Sequence, residues 1–199
     1  MFRKVIFSFL SVSLLLVGNF AQAQYCGGTV VNDNDCGSNA RPFAVSCCPD
    51  GYRVQGVAYN DLYKSDYADA VGPVCRHVVK GNDMLVVDFQ TSPVLHVCDK
   101  TENMVGIACK DMPKKGGKNS DVLDGCTAIC KNPKTNQTRL LYSADLAGNG
   151  RSYVKHMIDL PQRVVGMAYK DGDWKGAHVG GSDRADCATI VHKYLPIVK

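Results

Sequence analysis

Nine aspartates stand in three matching sets: Asp61, Asp66 and Asp69, then Asp111, Asp121 and Asp124, then Asp171, Asp183 and Asp186. In each set the last two belong to a Ser-Asp-x-x-Asp turn, starting at Ser65, Ser120 and Ser182. Carboxylates beside turn carbonyls are hard oxygen ligands that suit Ca²⁺, with Asp66, Asp121 and Asp183 the candidate ligands. They also accept hydrogen bonds from sugar hydroxyls. The same residues have a purely local use, because Ser and Asp side chains bond nearby backbone N–H groups and hold tight turns.

The loops leading into these turns differ in length and content. Residues 62–64 are Leu62-Tyr63-Lys64, residues 112–119 carry Lys114, Lys115 and Lys118, and residues 172–181 carry the single tryptophan, Trp174. Binding tends to reside in variable loops on a fixed scaffold. Tyr63 and Trp174 offer faces that stack on the apolar side of a pyranose. The candidate ligand-binding residues are therefore Tyr63, Asp66, Asp69, Asp121, Asp124, Trp174, Asp183 and Asp186. No cofactor beyond Ca²⁺ is implied.

Catalytic constellations are poorly represented. Glu102 is the only glutamate, so a two-carboxylate hydrolase would need aspartate pairs. Those pairs come in triplicate, whereas an active site is generally one asymmetric constellation. Val179-Gly180-Gly181-Ser182 misses the G-x-S-x-G nucleophile elbow. His96 and His156 occupy equivalent places next to strand ends and read as core-edge or surface histidines rather than catalytic ones. No residue is assigned a catalytic role.

The aspartate sets belong to a longer pattern, G-[apolar]-A-x-x-D…S-D-x-x-D, that begins at Gly56, Gly106 and Gly166. Such a period marks a repeat architecture whose core exists only when the units close on one another. The repeats run over about 24–78, 79–131 and 132–199. Each contains short β-branched runs bounded by turn residues, such as Tyr52 to Tyr59 and Val94 to Cys98. Four strands in each of three repeats give an all-β chain. The expected fold is a pseudo-threefold β-prism of four-stranded Greek-key sheets, with a β-trefoil as the alternative.

Residues 1–23 read as a secretory signal peptide, with Arg3 and Lys4, an apolar run to Val17, and Ala21-Gln22-Ala23 at the cleavage site. Residues 24–199 then form a single three-repeat β domain, secreted or periplasmic, with no membrane span. Without Arg3 and Lys4 the net charge of +4 falls to +2, which predicts no nucleic-acid partner.

Ten cysteines in an exported chain read as disulfides. Aligned on the repeat, Cys48 falls on Cys98 and Ile158, and Cys75 falls on Cys130 and His192. Joint presence in two repeats and joint absence in the third is the behaviour of bonded pairs, so Cys48–Cys75 and Cys98–Cys130 are expected, each within one sheet. Cys109 and Cys126 pair inside the second repeat. Cys26, Cys36, Cys47 and Cys187 allow three pairings, among which the sequence does not choose. A bond from Cys187 to the N-terminal segment would close the ring of repeats.

Cys48-Pro49-Asp50-Gly51-Tyr52-Arg53-Val54-Gln55-Gly56-Val57, followed by Asp66…Asp69-Ala70-Val71-Gly72-Pro73-Val74-Cys75, resembles the repeat signature of the vitelline membrane outer layer protein family. The match covers the first repeat fully and the other two in part, and this chain lacks that family's Trp-rich strands. The resemblance implies a β-prism and carbohydrate binding. Three functions follow in order: a binding module for a glycan or cell-envelope polysaccharide, a structural envelope or matrix protein without a small ligand, and a weak hydrolase.

Overall fold

The computed structural model describes residues 26–31, 43–61, 68–87, 89, 92–111, 123–147, 152–159, 161–171 and 185–194. In chain order the elements are β1 (Thr29–Val30), β2 (Ala44–Cys47), β3 (Tyr52–Asp61), β4 (Ala68–His77), β5 (Asp83–Leu85), β6 (Val94–Val97), β7 (Asn103–Asp111), β8 (Leu123–Lys131), β9 (Thr138–Leu140), a single helical turn α1 (Ala144–Ala147), β10 (Val154–Met157), β11 (Gln162–Asp171) and β12 (Ala185–Tyr194). Residues 1–23, expected from the sequence to be a signal peptide, lie outside the described residues. No helix among the described residues is long and apolar enough to cross a membrane.

The strands form three four-stranded antiparallel sheets, ordered β5-β4-β3-β6, β10-β7-β8-β9 and β1-β12-β11-β2. We call these sheets one, two and three. In sheets one and two, three strands follow one another as a meander and the fourth returns to lie beside the first, which is the Greek-key order. Sheet three has the same spatial order, with the N-terminal strands β1 and β2 in the third and fourth places beside β12 and β11. Among the described residues no strand is shared between a barrel and a cap, so the fold is the prism and not the trefoil.

The sheets are out of phase with repeats drawn at 24–78, 79–131 and 132–199. Sheet one spans residues 52–97 and sheet two 103–157, while sheet three joins 162–194 to the N-terminal strands at 29–47. Periodicity in sequence fixes the length of a unit but not its starting point. The start is set by which strand docks beside β3, β7 and β11.

That docking explains the repeated glycine. A Cβ on Gly56 would lie 2.4 Å from the His96 carbonyl oxygen, one on Gly106 2.4 Å from that of His156, and one on Gly166 2.5 Å from that of Ser46. Those carbonyls belong to β6, β10 and β2, the returning fourth strands. Only glycine lets them approach so closely. A β-bulge precedes each of these glycines, at Gln55, Val105 and Val165. The bulged carbonyls accept hydrogen bonds from the N–H groups of Cys98, Ile158 and Cys48 at 2.9–3.2 Å.

The next two motif positions divide between the two faces of the sheet. Val57, Ile107 and Met167 are buried in the core that all three sheets share, with Val54, Met104 and Val164 beside them. Tyr59 of sheet one reaches into sheet two, where a Cβ on Gly125 would lie 2.8 Å from its ring. By strand alternation Ala58, Ala108 and Ala168 lie on the opposite face. Their cross-strand partners are Gly72, Thr127 and Thr189, which meet the crossover running to the fourth strand. Thr127 Oγ1 donates to Leu141 O at 3.1 Å and Thr189 Oγ1 to Val31 O at 3.0 Å. Gly72 instead leaves room for the side chain of Val87.

The disulfides Cys48–Cys75, Cys98–Cys130 and Cys109–Cys126 are present, together with Cys26–Cys47. Cys187 is also disulfide-bonded. Two of the bonds differ in placement from the expectation of a link within one sheet. Cys48 ends the fourth strand of sheet three and joins β4 of sheet one. Cys98 ends the fourth strand of sheet one and joins β8 of sheet two. The fourth strand lies at the sheet edge that abuts the next sheet, so a cysteine just after it bonds across the prism corner.

Candidate functional site: three hairpins and a charged junction

The Ser-Asp-x-x-Asp segments belong to the hairpins that join the two central strands of each sheet. Their bases share one geometry: Asp61 stands opposite Ala68, Asp111 opposite Leu123 and Asp171 opposite Ala185. A register shift separates each of these aspartates from the residue before it. Three hairpins thus rise from equivalent strand ends, with different lengths between.

Of the candidate binding residues, Tyr63, Asp66, Asp121, Trp174 and Asp183 lie outside the described residues, so the fold anchors their loops at both ends without placing them. Asp69 and Asp186 fall near the starts of β4 and β12. Asp124, near the start of β8, is half-buried and engaged with a partner.

The base of the second hairpin holds residues that the aspartate pattern did not single out. Lys110 is buried, donates from Nζ to Leu146 O at 2.7 Å, and sits 4.6 Å from the centre of the Tyr153 ring. Burial, and after it the Asp124 carboxylate, raises the pKa of the Tyr153 phenol. The third hairpin repeats the cation–aromatic contact, with Lys170 Nζ 4.8 Å from the Phe43 ring. In the first, Asn60 takes the lysine's place and its Oδ1 accepts from the Ala70 N–H at 3.0 Å. The signal was present in the motif, since Asn60, Lys110 and Lys170 immediately precede Asp61, Asp111 and Asp171.

The other ends of the central strands meet at the turns between sheets. Gln55 is fully buried, and its Nε2 donates to the carbonyls of Cys98, Asp99 and Glu102. Arg139 grips Glu102 with two bonds, Nε–Oε1 at 2.7 Å and NH2–Oε2 at 2.8 Å, and reaches Asp99 at 2.9 Å. Arg139 therefore holds the Glu102 carboxyl below the usual carboxylate range. Arg76 makes a matching pair with Asp83 at 2.6 and 2.8 Å. Arg53 binds Asn103 Oδ1 and Lys100 O of the neighbouring turn.

The only convergent His/Cys/Asp/Glu group among the described residues is Cys98, Glu102 and Cys130. Its two sulfurs are bonded to each other, so it offers no thiolate to a metal. His96 and His156 are buried, as packing residues are. His96 stacks on Tyr59. A shallow cavity of about 420 Å³, lined by Leu85, Val86, Val87, Phe89 and Pro93, lies along the crossover from β5 to β6 in sheet one.

No protein-family model matches the chain, and no curated protein matches it. The resemblance to the vitelline membrane outer layer proteins therefore stands on the residues quoted for it. Among solved structures, the chain is similar to Calystegia sepium agglutinin, at 11% identity and a TM-score of 0.47, over 84% of this chain and 97% of that one.

Proposed function

We propose that the protein is a disulfide-stabilised, exported binding module for a glycan or cell-envelope polysaccharide, read by the three hairpins. One observation carries this reading: hairpins of different length rise from strand ends that share one register and one bulge. Rigid strands that fix variable loops at equivalent places are a scaffold for recognition. Tyr63 and Trp174 would stack on sugar faces, and Asp66, Asp69, Asp121, Asp124, Asp183 and Asp186 would accept hydroxyl protons. Each site alone would be weak, and three on a closed ring gain by avidity toward a repeating polymer. Ca²⁺ at Asp66, Asp121 and Asp183 would organise the same turns.

The test begins with a glycan array, followed by retention on the best polysaccharide. Trp174→Ala and Asp183→Asn should each weaken retention about tenfold or more, given that a stacked or hydrogen-bonded ring contributes roughly 1–2 kcal/mol. The melting temperature should change little. If calcium takes part, a chelator reproduces the loss. Unchanged retention in both variants removes the hairpins as the site. A wild type that binds no glycan leaves a structural envelope role as the better reading.

A further inference from the structure

The junction end of the prism carries cations without matching anions. We infer that it is a second recognition surface, for an acidic polysaccharide bearing carboxylate or sulfate groups. It lies about 25–30 Å from the hairpins along strands of nine or ten residues.

Four links tie sheet two to sheet one and sheet one to sheet three at this end. Arg53 of sheet one bonds the turn that opens sheet two, and Arg139 of sheet two bonds the same turn. Cys98–Cys130 joins sheet one to sheet two and Cys48–Cys75 joins sheet three to sheet one across the corners. On this end Asp83, Asp99 and Glu102 are taken by Arg76 and Arg139. That leaves Asp50 and Asp159 as the remaining carboxylates among the described residues, against Lys80, Lys100, Lys131, Lys134, Arg163 and Lys193. Among the described residues none of those six cations has an ion-pair partner.

Two like-charge pairs sharpen the point. Arg53 stands directly opposite Arg76, and Arg163 directly opposite Lys193. Like charges facing each other across an antiparallel pair are destabilising. Asp83 relieves the first pair. Among the described residues nothing relieves the second, where Arg163 is exposed and Lys193 half-exposed. An anion bridging Arg163 and Lys193 would convert that repulsion into binding.

The opposite strand ends carry Asp61, Asp69, Asp111, Asp124, Asp171 and Asp186. A long stiff duplex lying along the prism would run onto the aspartate-bearing strand ends, whereas a flexible acidic chain can touch the junction end alone. Disulfides fit an oxidising compartment, where polyanions are chiefly glycans.

The experiment measures elution of the full chain in a salt gradient from immobilised dextran sulfate, polygalacturonate, neutral dextran and double-stranded DNA. We expect retention on the two acidic polysaccharides at low salt, lost as salt rises, and none on neutral dextran. The two acidic matrices separate sulfate from carboxylate as the preferred group. Arg163→Glu/Lys193→Glu should weaken retention about tenfold or more, each cation near an anionic surface contributing about the same increment. Retention on whichever polysaccharide the hairpins bind should be unchanged, which keeps this surface distinguishable from that one. If the double variant melts early, Lys80→Glu/Lys134→Glu, on exposed turns, gives the same reading. Lack of retention on either acidic matrix, retention unchanged in the folded variants, or stronger retention on DNA would each overturn the proposal.

Discussion

Replacing Ile158 and His192 together by cysteine should create a third corner disulfide. The two existing corner bonds have Cα–Cα separations of 5.6 Å each. Ile158 ends the fourth strand of sheet two as Cys48 and Cys98 end theirs, and its N–H bonds the bulged Val105 in the same way. His192 stands opposite Val164 as Cys75 stands opposite Val54 and Cys130 opposite Met104. The new bond would close a loop of about 35 residues, for which chain entropy gives a ceiling of about 4 kcal/mol and a usual yield of about 2–4. For a domain of this size that is a rise in melting temperature of about 5–15 °C.

The substitution also removes a burdened histidine. His192 Nδ1 is buried without a hydrogen-bond partner, and burial holds its pKa below the ordinary value. A base with a depressed folded pKa contributes stability that is complete above its unfolded value, about 6.5, and is lost as pH falls through the folded one. The double variant should therefore lose less stability than the wild type on acidification below about pH 6.5. Peptide mapping without reductant, with thermal melts of the double and both single variants at two pH values, reads all of this. Free thiols at 158 and 192, in a chain whose native disulfides have formed, would refute the equivalence of the three corners.

Glu102→Gln should cost about 1–2 kcal/mol at neutral pH, since it weakens a charge-assisted pair whose arginine is half-exposed. The lowered Glu102 pKa is stabilising above about 4.3 and ceases to be so as pH falls through the folded value, so urea melts at low pH should bring variant and wild type together. Gly106→Ala should destabilise by about 1–3 kcal/mol, because its Cβ would meet the His156 carbonyl, and a circular-dichroism melt measures it. Gly81→Ala is the contrast: no atom lies within 4 Å, so any loss comes from its positive φ of 72° alone.

The repeat count, the all-β class and three disulfides were legible because each leaves a periodic mark. A glycine at 56, 106 and 166 is visible as a letter, and cysteines that come and go together betray a bond. The phase of the sheets was not legible. Gly56 shows that some backbone passes close by, but not that the passing strand is β6, forty residues further on, and β2 reads equally well as the start of its own repeat. For the same reason the corner disulfides looked like bonds within a sheet. In the candidate site, the aspartates announced the hairpins, while the Lys110–Tyr153 and Lys170–Phe43 contacts join residues distant in sequence whose pairing only the fourth strand explains.

Because β1 and β2 complete the sheet built by β11 and β12, the first strands made wait for the last. Thr29 pairs with His192 and Ala44 with Tyr169. Sheets one and two can assemble on local contacts as the chain emerges, but the third is a long-range closure. Loop entropy of the (3/2)RT ln n form makes such a closure cost about 4–5 kcal/mol before any contact repays it. In the exported protein proposed above, threading of the chain through a translocation pore would thus be finished before the ring shuts, and a nascent chain held in the cytosol would remain open, export-competent and exposed to proteases until its final strand arrives.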